Sequence, residues 1–261
     1  MTAADITQVV QLIDSHDEDD AAEARLDYEK QGIDNQFVLE INNEVIGVTG
    51  YRAVAHSNNT YWLSWTYIHD DYCNQGHGRT MLQQLMDILK QQSARKIFVK
   101  VSDYEDPEDG KIYAAALHLY QSLGFQLEVT LPDYYDEQEA MMILGYSLTA
   151  SADIDIPPTR AAVKFNAVFE IAETDGAYSF GWEVNKKKHF DEQDLKIGIE
   201  AVEQRNGRVI YLSFPSDLAS VTQPLIDFGF IPFGKLADYY DDGVDELHFG
   251  YHLLRNKTDE K

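Results

Sequence analysis

The chain has 261 residues, of which 45 are acidic and 21 basic, giving a formal charge of -24 with 44% hydrophobic content and one cysteine. That charge repels nucleic acid and anionic membrane surfaces, so neither is an expected partner; it suits a solvated surface or one that gathers cationic amines. No run approaches the ~20 apolar residues that cross a bilayer, the start MTAADITQVV lacks the order of a secretory signal, and the lone Cys73 allows neither an internal disulfide nor a cysteine-based zinc site, so a cytoplasmic protein without a metal is expected.

The length predicts two domains. Asp5 to Ile13 and Asp20 to Gln31 read as helices separated by the acidic stretch Asp14 to Asp20. Phe37 to Ile41 and Glu44 to Val54 are β-rich runs joined by Asn42-Asn43, a dipeptide that tolerates positive φ, which predicts a hairpin. Tyr61 to Ile68 (YWLSWTYI) has the aromatic and β-branched content of a strand and leads into a glycine-rich turn. Met81, Leu82, Leu85, Met86 and Leu89 then recur at helical spacing, predicting a helix over roughly Gly78 to Gln91. Ile97, Val99 and Val101 alternate as a strand, a polar stretch runs from Asp103 to Lys111, and Ala114 to Leu123 resumes helical character before Gly124 ends it. Strand, glycine turn, helix, strand and helix in this order describe an α/β unit.

The second half repeats the first. Leu123-Gly124-Phe125 is echoed by Phe228-Gly229-Phe230, Asp133-Tyr134-Tyr135-Asp136 by Asp238-Tyr239-Tyr240-Asp241, and Leu144-Gly145-Tyr146-Ser147-Leu148 by Phe249-Gly250-Tyr251-His252-Leu253, all at an offset of 105 positions. The proline-containing segment 151–160 (SADIDIPPTR) suits a linker, which divides the chain into a domain at 1–150 and a second at 161–255.

The segment Asp70 to Leu82 (DDYCNQGHGRTML) sets Gly76 and Gly78 between a strand and a helix, where successive main-chain N–H groups and the positive helix end can cradle phosphate oxygens. It resembles the pyrophosphate loop of GNAT-superfamily acetyltransferases, with Ile68, Tyr72, Gly76, Gly78 and Leu82 in register and Cys73 standing where the family has Arg or Gln. Ala116 to Phe125 (ALHLYQSLGF) resembles the family's second signature. The asparagine that precedes that signature in the family is replaced by Tyr113.

The resemblance covers most of Met1 to Ala150 and implies two tandem GNAT-like domains of α/β (α+β) class. Each would be a mixed, mostly antiparallel sheet flanked by helices, with splayed fourth and fifth strands in the first. It implies acetyl-CoA as cosubstrate and no metal. Thr66, Tyr67 and Ile68 would hold the pantetheine arm, while Asn74, Gln75, Gly76, His77, Gly78 and Arg79 would hold the pyrophosphate; Tyr113 stands at one further cofactor contact. The implied activity is N-acetyl transfer to a primary amine, in a small molecule or a peptide, by direct transfer in a ternary complex. Tyr120, at the tyrosine position of the second signature, would protonate the CoA thiolate.

An amine of pKa about 10.4 is neutral only about once in a few thousand molecules at pH 7, so a base or water chain is also required. Relatives that acetylate protein termini often carry a glutamate on the fifth strand, where this sequence has Lys100. Asp103, Glu105 to Asp109, His56, Asp133 and Asp136 are candidates, and the base stays unassigned. In the second half, Lys187 to Glu192 (KKHFDE) falls where the glycine loop would be, and neither glycine is present. Side chains there block close approach of a pyrophosphate, so this degenerate copy is expected to shape the acceptor pocket or the domain packing. A catalytically weak CoA-binding or protein-interaction module is the alternative reading; monomer and homodimer both remain open.

Overall fold

The computed structural model describes residues 1–106, 110–148, 162–172, 174–185 and 192–253. The expected linker 151–160 and most of the Lys187 to Glu192 segment lie outside them. The chain forms two compact units whose boundary cuts through strands. One comprises Met1–Val99, Ala115–Gln126 and Tyr146–Thr149; the other comprises Lys100–Ala114, Leu127–Gly145 and Ala150–Lys261.

In the first unit, helix α1 (Ile6–Asp14) buries Val9, Val10, Leu12 and Ile13, and α2 (Glu18–Gln31) buries Ala21, Ala24 and Tyr28. Their apolar faces pack together with Val45 and Val48. Helix α2 starts at Asp17, whose carboxylate accepts from the Asp20 amide at 2.9 Å, and its first turn carries Glu18, Asp19 and Asp20, which suits the positive helix end. Strands β1 (Gln36–Ile41) and β2 (Glu44–Ala53) form the expected hairpin, with Asn42 and Asn43 at φ 53° and 67°.

The run expected to be one strand, Tyr61 to Ile68, is two: β3 (Thr60–Leu63) and β4 (Tyr67–Ile68). Helix α3 (His77–Gln91) buries Met81, Leu82, Leu85 and Leu89, the predicted stripe, while Met86 is half-buried. On β5 (Lys96–Ser102), Ile97, Phe98 and Val99 are all buried, so the alternation seen in the sequence understates an interior strand covered on both faces. Helix α4 (Ala114–Ser122) follows, and then β6 (Gln126–Asp136) and β7 (Glu139–Ser147).

The second unit has strand order β7-β6-β11-β12-β10-β9-β8. Its later elements are β8 (Ala162–Glu170), β9 (Ala177–Asn185), α5 (Glu192–Glu203), β10 (Val209–Pro215), α6 (Thr222–Phe228), β11 (Ile231–Asp241) and β12 (Val244–His252). Phe165, Phe180, Leu195, Ile199, Ile210, Phe214 and Phe230 lie in its core.

The repeat holds in three dimensions. Strands β11 and β12 span the residues of β6 and β7 moved by 105 positions. Asp133 and Asp238 both adopt left-handed backbone, at φ 58° and 54°, and each accepts at 2.8 Å from the amide five residues on. The rings of Phe125 and Tyr146 lie 5.3 Å apart, as do those of Phe230 and Tyr251. Each copy has one parallel strand pair, β3 with β5 and β9 with β10, preceded by an arginine whose Nε donates at 3.0 Å to a turn carbonyl: Arg95 to Asn58 and Arg208 to Asp175.

Candidate active site

The parallel pairing of β3 with β5 stops at Trp62↔Phe98, and the chain then turns so that Tyr67 and Ile68 pair back onto β2. Strands β3 and β5 therefore part beyond this point, with β4 continuing along β2. In the antiparallel pairing with β2, the His69 amide reaches Ile46 O at 2.9 Å, so the main-chain groups of Ile68, one residue earlier, are directed away from β2. A short 3-10 turn, Asp70–Tyr72, leads to Asn74 at φ 57° and Gly76 at φ 87°, and α3 begins at His77.

Gly76 needs its left-handed backbone, and the space where its Cβ would sit is open. Gly78 serves packing: a Cβ there would lie 3.3 Å from Leu119 Cδ2 and 3.5 Å from Ile68 Cγ1, so its absence lets α3 start close against both β4 and α4. The loop is locally acidic, with Asp70 and Asp71 at its entrance and Arg79 its one arginine. Arg79 Nη2 donates to Ser122 Oγ at 2.5 Å, and Gln75 Nε2 donates to Asp71 O at 2.7 Å. An anion here would rest mainly on main-chain N–H groups and the helix end.

Tyr120, on α4, is 5% exposed, packs edge-on against Phe125 and shares a hydrogen bond with Thr66. Burial pushes its phenol up to about 12, partly offset by the Thr66 bond. The hydroxyl is therefore fully protonated at neutral pH, the form a proton donor requires. Thr66 is held in turn by Thr49 at 3.0 Å and by donating to Ser64 O at 2.9 Å. Thr66, Ile68, Gly78 and Tyr120 thus converge within the first unit, and Arg79 reaches the same helix α4. Tyr113 falls in the second unit.

Two side chains that the sequence reading missed also reach β4. His16, in the α1–α2 turn, contacts the Ile68 carbonyl through Nε2 at 2.8 Å and lies 3.5 Å from Asp70 through Nδ1; Cys73 Sγ approaches the same carbonyl at 3.6 Å. Asp20 bonds the Tyr67 hydroxyl, and burial raises its carboxyl pKa. Both contacts span about fifty sequence positions, and no local pattern announces them. Among the base candidates, the Asp103 carboxylate accepts from the Ala140 amide at 2.6 Å. Glu139, outside that set, accepts from Ser102 Oγ at 2.6 Å. Among the described residues no three His, Cys, Asp or Glu side chains group as a metal site, and no helix is long and apolar enough to cross a membrane.

In the second unit the parallel pairing of β9 with β10 ends at Ser179↔Tyr211, the equivalent step. There the Trp182 indole donates to Ser213 O at 2.7 Å and bridges the two strands.

A parted strand pair, a glycine turn opening a helix and a buried tyrosine on the following helix thus come together in the first unit. Residues 6–125, somewhat less than half of the chain, match the sequence model of the acetyltransferase (GNAT) family. No curated protein matches the sequence. Among solved structures, a protein assigned to the GNAT acetyltransferase family from Desulfovibrio desulfuricans shares 18% identity at a TM-score of 0.50, over 57% of this chain and 95% of its own. The ribosomal-protein-S18-alanine N-acetyltransferase of Escherichia coli shares 21% at 0.48, over 59% and 94%. An aminoglycoside 6'-N-acetyltransferase complexed with coenzyme A shares 12% at 0.47, over 58% and 95%. The first of these shows the shared fold over somewhat more than half of this chain.

Proposed function

We propose that the first half is an acetyl-CoA-dependent N-acetyltransferase acting on a primary amine by direct transfer, with Tyr120 as the acid that protonates the departing CoA thiolate. The observation that carries this reading is the convergence of a buried, protonated Tyr120 with Thr66 on the cleft side of β4, beside the open Gly76 turn. The main chain of Thr66 to Ile68 would hold the pantetheine arm, and the N–H groups of Asn74 to Arg79 would hold the pyrophosphate, Arg79 adding its charge. Tyr113 is kept as a further cofactor contact by resemblance. Bound acetyl-CoA supplies the activated acetyl group. In the transfer a C–N bond forms and a C–S bond breaks, the amine loses one proton to a base or water, and the thiolate gains one from Tyr120.

The second half is read as a degenerate GNAT-like domain. Its strand gap is bridged by Trp182, which leaves no parallel to the open cleft of the first half, so one acetyl-CoA per chain is expected. The chain is placed in the cytoplasm, with a small-molecule or peptide amine as acceptor.

The test is release of free CoA thiol from acetyl-CoA over a panel of amines and short peptides, with Gly76→Glu beside the wild type. Turnover that Gly76→Glu abolishes supports the reading. No turnover with tight 1:1 acetyl-CoA binding would replace it by a CoA-binding module.

A further inference from the structure

Strand β4, which borders the strand gap, has little main-chain support of its own. It is two residues long and pairs with β2 through Gly47↔Ile68 and Val48↔Tyr67, flanked by bonds from the His69 amide to Ile46 O at 2.9 Å and from the Ser64 amide to Gly50 O at 3.0 Å. So short a ladder is marginal unless other groups hold it. Two side chains from the α1–α2 connection do so. His16 Nε2 lies 2.8 Å from Ile68 O, and because a carbonyl only accepts, that nitrogen carries hydrogen and donates. Its Nδ1 lies 3.5 Å from Asp70, and its ring 5.5 Å from that of Tyr67. Tyr67 in turn donates its hydroxyl to the Asp20 carboxylate.

The connection that carries these two side chains is itself anchored. The amides of His16 and Asp17 both donate to Ile13 O at 2.9 Å, Ile13 is buried at the end of α1, and Asp17 caps α2 by accepting from the Asp20 amide. Helices α1 and α2 pack on Val45 and Val48 of β2, with Tyr67 against the same cluster. His16 and Asp20 therefore grip the two residues of β4 from a fixed base, one through its main chain and the other through its side chain. All of these groups lie within the first unit.

The Ile68 carbonyl is directed away from β2, on the side where β3 and β5 have parted beyond Trp62 and Phe98. A carbonyl oxygen has two lone pairs, so the bond from His16 leaves capacity for a second donor. The Cys73 thiol, 3.6 Å away, is a weak donor that an amide N–H displaces.

We propose that His16 and Asp20 are positioning residues that hold β4 at the gap and fix the Ile68 carbonyl to accept from an amide of the pantetheine arm. The cofactor part rests on the acetyl-CoA reading of the first half. The two residues act on the arm and not on the pyrophosphate, whose place in that reading is the glycine turn.

The experiment compares wild type, His16→Leu, His16→Gln and Tyr67→Phe in the full chain. Hydrogen exchange followed by mass spectrometry should rise about fivefold over 64–70 in His16→Leu and Tyr67→Phe, the effect of one lost hydrogen bond, with 77–91 unchanged. It should stay near wild type in His16→Gln, whose amide can donate in place of Nε2. Calorimetric titration should show the Kd for acetyl-CoA raised about fivefold in the same two variants and restored in His16→Gln. The Kd for 3'-phospho-ADP, which carries the pyrophosphate and lacks the arm, should not move; a general loosening of the fold would weaken both ligands. Tyr67→Phe deletes a single hydroxyl and guards against misfolding of His16→Leu. Unchanged exchange over 64–70 in both variants overturns the clamp. A loosened segment with an unchanged acetyl-CoA Kd, or with both ligands weakened alike, overturns the link to the arm. Wild type that binds neither ligand overturns the acetyl-CoA reading, while the exchange data still decide the clamp.

Discussion

Replacing Tyr120 by Phe removes one hydroxyl from a site where burial has raised the phenol from 10.0 to about 12. The folded pKa exceeds the unfolded one, so the protein holds this proton more tightly when folded. The resulting stability is fully present below pH 10 and is lost as pH rises toward 12. A shift of about 2 units at ~1.4 kcal/mol each corresponds to about 3 kcal/mol. Tyr28, Tyr211 and Tyr240 are also raised by burial and remain in both proteins, so the difference between wild type and variant isolates Tyr120. Near pH 8 the variant should be less stable by about 1 kcal/mol for the lost Thr66 bond. The gap should close and then reverse as pH climbs past 10, read by urea unfolding at a series of pH values. Thiol release should fall roughly a hundredfold or more, the contribution of a general acid, while acetyl-CoA affinity holds. A stability gap that stays constant from about pH 9 to 12 would refute the buried, protonated phenol; full turnover would refute its role.

Two other outcomes follow from paired features of the repeat. Arg95 Nη2 donates to Thr60 Oγ1 at 3.2 Å, whereas Arg208 Nη2 is buried without a partner among the described residues, because Ala177 stands at the position equivalent to Thr60. Ala177→Ser should supply the missing acceptor and raise stability by about 1 kcal/mol, or roughly 2–4 °C in Tm; a fall in Tm would show that the pocket cannot take the hydroxyl. Gly124 has φ 100°, and a Cβ there would sit 3.1 Å from Tyr146 Cε2, while Gly76, left-handed at φ 87°, has open space. Both alanine variants incur about 1–2 kcal/mol of backbone strain, and Gly124→Ala should lose more because Tyr146 must also shift. Equal losses in chemical denaturation would contradict that contact.

The sequence by itself determined what depends on neighbours along the chain or on repetition at a fixed offset. Asn42 and Asn43 tolerate positive φ and so announced their hairpin; the spacing of Met81, Leu82, Leu85 and Leu89 set the buried face of α3; similar residue groups at one offset revealed the duplication. The glycine turn and Tyr120 were legible because both belong to short signatures. What only the tertiary structure decided arises from contacts between distant segments, whose energies leave no local periodicity. Val99 and Val101 looked one-faced until Phe98 proved equally buried, since the second face of β5 is covered by elements far away in sequence. The break at Ser64 to Thr66 follows from β4 pairing back onto β2, not from a breaker residue, because that stretch contains neither Gly nor Pro. His16 on Ile68, Asp20 on Tyr67 and Arg208 on Asp133 join residues 52, 47 and 75 positions apart. Each is a polar group satisfied only once the chain has closed on itself, and therefore invisible to any reading that moves along it.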